Sequence, residues 1–173
     1  MESVTPSPAL SPKRLNMQSG LELLGWILLC QAVGGLGALA TIDGVKTWYT
    51  TIQKPSWTPP NWVFGPVWTL LYVLMAVAAW RVALKRATHN VAPALWMFLL
   101  QLALNCAWSF LFFGAHRIGL SFAEILLMLA AILLTMVRFA KVDRIAMFLL
   151  VPYLAWVTYA STLNGGTWWL NRG

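Results

Sequence analysis

The chain has 173 residues, of which 60% are hydrophobic and only 10% charged, with a net charge of +7 and 11 tryptophans. Soluble domains carry about a quarter charged residues, so an ordinary soluble domain is excluded, in line with a mean hydropathy of +0.69. The basic excess sits in short segments between apolar runs, where it anchors loops to a membrane, and no nucleic-acid partner follows from it.

In chain order, residues 1–19 read as a disordered polar tail, with Pro6, Pro8, Pro12 and several serines. Five charge-poor runs follow, each near the 20 or so apolar residues that cross a bilayer as a helix. They predict spans at about 21–41, 60–82, 93–114, 118–138 and 144–165. Together they make one membrane domain over residues 20–166, and residues 167–173 remain as a short tail. The first apolar run is too long for the core of a signal peptide, so it is expected to be retained as a helix. The fold class is an all-α integral membrane protein, a bundle of five transmembrane helices.

Lys and Arg divide unequally between the two ends of such a bundle. Lys13, Arg14, Arg81, Lys85, Arg86, Arg138, Lys141 and Arg144 share one side, and Lys46, Lys54, Arg117 and Arg172 the other. Basic short loops stay cytoplasmic, which puts the N-terminus in the cytoplasm and the 48–60 loop opposite. That loop and the start of the second span interleave Trp48, Tyr49, Trp57 and Trp62 with Pro55, Pro59 and Pro60. Proline fixes φ and is tolerated where a helix starts, so the segment reads as a stiff aromatic connector entering the second span.

Helix periodicity sorts the spans into faces. Phe64, Trp68 and Tyr72 recur at i, i+4 and i+8 directly below the proline loop. Gln101, Asn105, Trp108 and Phe112 form a stripe on the third span, and Tyr153, Trp156, Ala160 and Asn164 one on the fifth. On the first, Gln31, Gly34, Gly35 and Ala38 make a small, partly polar face. An unsatisfied amide in hydrocarbon costs a few kcal/mol, so Gln31, Gln101, Asn105 and Asn164 should point into the bundle and bring their aromatic neighbours with them. Such a lining suits a flat, largely apolar ligand with sparse polar groups.

Other residues have plainer readings. Trp26, Trp48, Trp62, Trp80, Trp96, Trp168 and Trp169 lie near span ends, where tryptophan anchors to the interface. Cys30 and Cys106 show no metal spacing and read as buried free thiols. The two histidines, His89 and His116, fall at span ends, so axial haem ligation is not expected. The pairs Ala103/Ala107 and Ala79/Ala83 fit helix contact between subunits or within the bundle. Glu124 is the one acid placed at membrane depth. It reads as a proton or ligand site, or as a side chain that snorkels or pairs with a loop arginine.

Trp48-Tyr49, Lys54-Pro55-Ser56-Trp57-Thr58-Pro59-Pro60, Trp68, Tyr72 and Pro152-Tyr153-Leu154-x-Trp156 together resemble the translocator protein family, also called tryptophan-rich sensory protein or peripheral benzodiazepine receptor. The resemblance covers about residues 20–166. It implies a five-helix bundle, usually a homodimer, whose first loop covers a pocket for porphyrins, sterols in some members, and synthetic isoquinoline carboxamides or benzodiazepines. The ligand-binding residues it implies are Tyr49, Phe64, Trp68, Tyr72, Asn105, Trp108, Trp156, Ala160 and Asn164. Members occur in bacterial membranes and in the mitochondrial outer membrane, and the bacterial cell membrane is favoured here.

Animal members carry a sterol-recognition pattern of Leu or Val, then Tyr, then a basic residue. Here Val157 and Tyr159 meet no basic residue before Arg172, so sterol is less supported than porphyrin. The expected function is a membrane receptor or sensor for porphyrins of protoporphyrin type, or haem, as ligand, with no required cofactor. Propionates would lie near Lys46 or Lys54. No catalytic constellation is present, and enzyme status stays open. Light-dependent porphyrin breakdown and transport of porphyrin or sterol-type ligands are the alternatives, transport having little support without an inverted repeat or broken helix.

Overall fold

The computed structural model describes residues 12–172, and side chains from residue 17 onward. Seven α-helices and two short irregular turns make up those residues, with no strands among them. Helix α1 spans Pro12–Lys46, α2 Trp48–Thr51, α3 Phe64–Ala83, α4 Ala92–Ser109, α5 Ile118–Ala140, α6 Arg144–Leu149 and α7 Val151–Leu170. In hydrocarbon every backbone amide must be satisfied within the segment, so apolar runs of this length close into helices. Five spans are long and apolar enough to cross a membrane: Met17–Lys46, Asn61–Ala83, Ala92–Gly114, Ile118–Ala140 and Arg144–Leu170.

Helix α1 starts at Pro12, inside the stretch expected to be a polar tail. Pro12 occupies a first-turn position that needs no amide donor, and Lys13, Arg14, Leu15, Met17 and Gln18 are good helix formers, so the apolar helix continues outward. This extension is held by side chains: Trp80 Nε1 donates to Ser19 O at 3.0 Å, and Arg86 grips Glu22 at 2.7 and 3.1 Å. The rest of the expected tail, residues 1–11, lies outside the described residues. At the other end α7 runs to Leu170, through most of the expected C-terminal tail.

The fifth span is two helices in series. Pro152 lacks an amide hydrogen and its ring crowds the carbonyl four residues back, and the helix is interrupted at Leu150 between α6 and α7. Near its far end the third span passes into a π-helical turn, Phe110–Gly114, where Ala115 N donates to Phe110 O at 2.7 Å. Such wide turns rotate the residues that follow, and this one buries Phe112.

Around the bundle the order is α1, α3, α7, α5, α4, with α1 closing the ring against α4 and α6 wedged between α3 and α5. The half away from the lid is solid. Met75, Phe98, Ile132, Phe139 and Leu150 are buried there, and Ala76, Ala78, Ala79 and Ala83 let neighbouring helices approach α3 closely. Asp143 ties this end: its carboxylate accepts from Ile145 N at 2.8 Å and Ala146 N at 3.1 Å, capping α6, and pairs with Arg81 of α3 at 2.9 Å.

Burial works against ionisation of Asp143, but the amide of Ala146 and the Arg81 guanidinium outweigh it and hold the carboxyl below its ordinary value of 3.8. Its stabilisation is therefore complete above that value and disappears as pH falls through the lower folded value. Replacing Asp143 with Ala removes a cap and an ion pair together, with an expected loss of about 1–3 kcal/mol. Thermal unfolding in nanodiscs checks this: Asp143→Ala should melt below wild type at neutral pH, with the gap narrowing in acid.

Candidate ligand cavity beneath the loop

Between the helices in the lid half lies a cavity of about 820 Å³, lined by α1, α3, α4, α5 and α7 and by Tyr49 and Asn61 of the connecting segment. Its volume falls within the roughly 300–1,000 Å³ of ligand pockets. All nine residues singled out in the sequence, Tyr49, Phe64, Trp68, Tyr72, Asn105, Trp108, Trp156, Ala160 and Asn164, line it. The 3.6-residue period delivers most of this, because positions four apart on α3 and on α7 stack down one wall.

A chain of buried polar groups makes the floor. Tyr72 of α3 donates to Asn105 Oδ1 at 2.5 Å, Asn105 Nδ2 donates to the Tyr153 hydroxyl of α7 at 3.3 Å, and Tyr153 donates to Met128 Sδ of α5 at 3.7 Å. A second amide works similarly nearer the lid. Trp108 Nε1 donates to Asn164 Oδ1 at 2.9 Å, and Asn164 Nδ2 donates to Ile118 O at 3.1 Å, joining α4, α7 and α5. Gln31 Nε2 reaches Thr69 O at 3.2 Å across the α1–α3 seam. Beside it Gly34 meets the Tyr72 ring so closely that a Cβ there would collide with it.

The walls are aromatic. Trp68 lies 5.5 Å from Tyr72 and 6.2 Å from Tyr153 between ring centres, Phe64 meets Trp156 edge-on at 5.8 Å, and Trp108 stacks on Phe112 at 5.1 Å. Trp156 Nε1 is buried without a hydrogen-bond partner among the described residues. It is a free donor beside the cavity.

The proline segment connects Tyr49 and Asn61, both on the cavity lining, at this end of the bundle. Tyr49 packs against Phe113 and Phe112 at 5.6 and 6.1 Å, and Lys54 Nζ donates to Tyr49 O at 2.7 Å while lying 4.7 Å from that ring's centre. Burial pushes the Tyr49 phenol up, so it stays neutral. Lys54 is thus used inside the lid and lines only a separate groove, whereas Lys46 stands on the cavity rim. Trp48 stacks on His116 at 4.3 Å; His116 has a φ of 55°, a left-handed turn conformation.

Three contacts fasten the lid to α7. Gln53 N donates to Asn171 Oδ1 at 3.0 Å and Asn171 Nδ2 donates back to Gln53 O at 2.8 Å, a two-way amide clasp. Tyr159 donates to Trp57 O at 2.6 Å. Gly166 leaves room for the Pro55 ring, which a Cβ would meet at 2.6 Å. Asn171 has no apolar periodicity to mark it, so the sequence reading missed it.

Further differences from the sequence reading are local. Gln101 is buried as expected but lies off the cavity, with both amide atoms unpartnered among the described residues. Thr41, Asn61, Thr69, Phe113, Ile125 and Met128 line the cavity without having been singled out. Phe112 and Phe113, both in the π turn, line it together. Trp62 and Trp96 are 76% and 71% exposed, as interface anchors would be, but Trp26 packs edge-on against Phe98 at 5.8 Å. Cys30 is fully buried, and Cys106 only partly so.

Five membrane-spanning helices around an aromatic cavity, bordered by the ends of a connecting loop, define an integral multi-pass membrane protein of receptor type. The TspO/MBR family model matches residues 26–170, and the chain belongs to that family. It is 45% identical over 147 residues to the Tryptophan-rich protein TspO of Chlorobaculum tepidum, covering 83% of this chain and 92% of that one. It is 42% identical over 133 residues to the Homo sapiens Translocator protein (76% and 78% covered), and 39% identical over 150 residues to the Tryptophan-rich sensory protein of Cereibacter sphaeroides (87% and 90%).

Loss of the Asn171 clasp should loosen the lid alone. Two hydrogen bonds worth about 1 kcal/mol net each make Asn171→Ala expected to speed amide exchange over residues 52–57 by roughly tenfold or more. Hydrogen–deuterium exchange read by mass spectrometry checks this, with protection of α3 and α5 expected to be unchanged.

Proposed function

We propose that this protein is a membrane receptor or sensor for porphyrins and related flat apolar ligands, held in the cavity beneath the loop. The observation that carries this reading is the lining: Trp68, Trp108 and Trp156 on three different helices around one space, with amides at Asn105 and Asn164 and an unpartnered indole N–H at Trp156. Aromatic faces stack on a planar macrocycle, and sparse donors fix its orientation. Lys46 on the cavity lining supports this reading as a charge-assisted partner for a propionate. Sterols and benzodiazepine-type compounds are further ligands of the same apolar chemistry.

In this reading the protein resides in a bacterial cell membrane with its N-terminus cytoplasmic, and assembles as a homodimer. The exposed α4 stripe of Trp96, Leu100, Ala103 and Ala107 supports the dimer, since small residues between large ones let helices approach.

Titration with protoporphyrin should quench tryptophan fluorescence. A Trp68→Phe/Trp156→Phe double variant should bind at least about fivefold more weakly, two edge or stacking contacts being worth about 0.5–1.5 kcal/mol each. Unchanged affinity in the double variant would refute the assignment. The same samples under illumination address porphyrin breakdown: a new absorbing product formed with wild type and lost in the double variant supports that activity, and equal bleaching with and without protein dismisses it.

A further inference from the structure

Glu124 is the seventh residue of α5, about 9 Å along the axis from its start at 1.5 Å per residue. Both carboxyl oxygens are buried and neither has a hydrogen-bond partner among the described residues. The two ion pairs among those residues, Arg81–Asp143 and Arg86–Glu22, leave it out.

Its surroundings supply no counter-charge. The third span, Ala92–Gly114, and α7, Val151–Leu170, both packed on α5, contain no Lys, Arg, Asp or Glu. The titratable groups they bring are Cys106 on α4 and Tyr153 and Tyr159 on α7; Tyr153 is within electrostatic reach of Glu124, and Tyr159 donates to Trp57 O of the lid. On α5 itself the nearest cations are Arg117, two turns toward the lid, and Arg138, more than three turns the other way; both are exposed. From α6 come only Arg144 and its cap Asp143, at the far end of the bundle. Ala123 and Leu127, beside Glu124 on the helix, are exposed on the outer surface, which faces lipid rather than water.

An ionised carboxylate here would be a bare charge in hydrocarbon, the most expensive state available to it. A neutral carboxylic acid avoids that cost. Its neighbours Ile125 and Met128 line the cavity, and Met128 accepts the hydrogen bond that ends the Tyr72–Asn105–Tyr153 chain. We propose that Glu124 is a proton-binding site within the membrane, one residue behind the cavity wall, that carries its proton at neutral pH. The ligand is the proton alone, exchanged from the cavity side. The neutral form also spares an anionic ligand a buried like charge beneath it. The proposal rests on the membrane placement and the unpaired carboxyl, not on the tetrapyrrole reading.

Infrared spectroscopy of the full chain in nanodiscs at neutral pH tests it. The carbonyl stretch of a protonated carboxyl is expected in wild type, absent in Glu124→Gln and unaltered in Asp43→Asn. A wild-type spectrum without that band, or a band that survives Glu124→Gln, would overturn the proposal. A second measurement needs no variant: a lipid-soluble carbodiimide, which reacts with protonated carboxyls, should modify Glu124 in the peptide map while a water-soluble carbodiimide does not. Labelling of Glu124 by the water-soluble reagent only, or by neither, would count against it.

Discussion

Everything in the lid half of the bundle depends on one amide that hydrocarbon will not accept. Asn105 sits in the middle of a span, where leaving its carbonyl and amino groups unpaired would cost several kcal/mol, and both are used: Tyr72 donates to one and the other donates to Tyr153. Three helices are thereby held at a fixed spacing around a polar pivot. Their large rings point toward one another at a level where the rest of the packing leaves a gap. The cavity floor is this hydrogen-bonded chain. The space above it persists because Trp68, Trp108 and Trp156 wall it without filling it.

The two halves of the molecule follow from different residue choices along the same helices. Toward Asp143, alanines on α3 draw the helices together and Phe98, Phe139 and Leu150 close the interior. Toward the lid, the small residues lie on α1, where Gly34 takes the Tyr72 ring edge-on and Gly35 and Ala38 expose backbone to the cavity. Indoles and phenyl rings then replace aliphatic packing. The proline segment cannot add its backbone to a regular helix, so it lies across this end and is fastened at Gln53, Pro55 and Trp57 to α7.

Much of this was legible in the chain because membrane burial makes charge and amide positions informative. Gaps between charges gave the number of spans, and the requirement that Asn105 and Asn164 avoid lipid selected the inward faces. What escaped were features set by backbone irregularity or by contacts remote in sequence. The break before Pro152 and the π turn at Phe110–Gly114, which carries Phe112 and Phe113 of the lining, alter the helical period locally. The Asn171 clasp joins residues 118 positions apart, and an asparagine after a helix end carries no signal of its partner. The early start of α1 was hidden because prolines and serines there read as a tail, although Pro12 is well suited to a helix N-terminus.

Membership of the TspO/MBR family fixes the architecture, and the arrangement of indoles, amides and the lid gives that architecture a ligand chemistry. Occupancy of the cavity is therefore the point on which the functional reading stands. The most direct measurement is protoporphyrin titration of Ala160→Phe, which places a ring into the cavity from α7 without touching the floor chain or the lid clasp. Binding is expected to be abolished while helix content and melting temperature stay near wild type. Retained wild-type affinity in that variant would place the ligand elsewhere and contradict the cavity as its site.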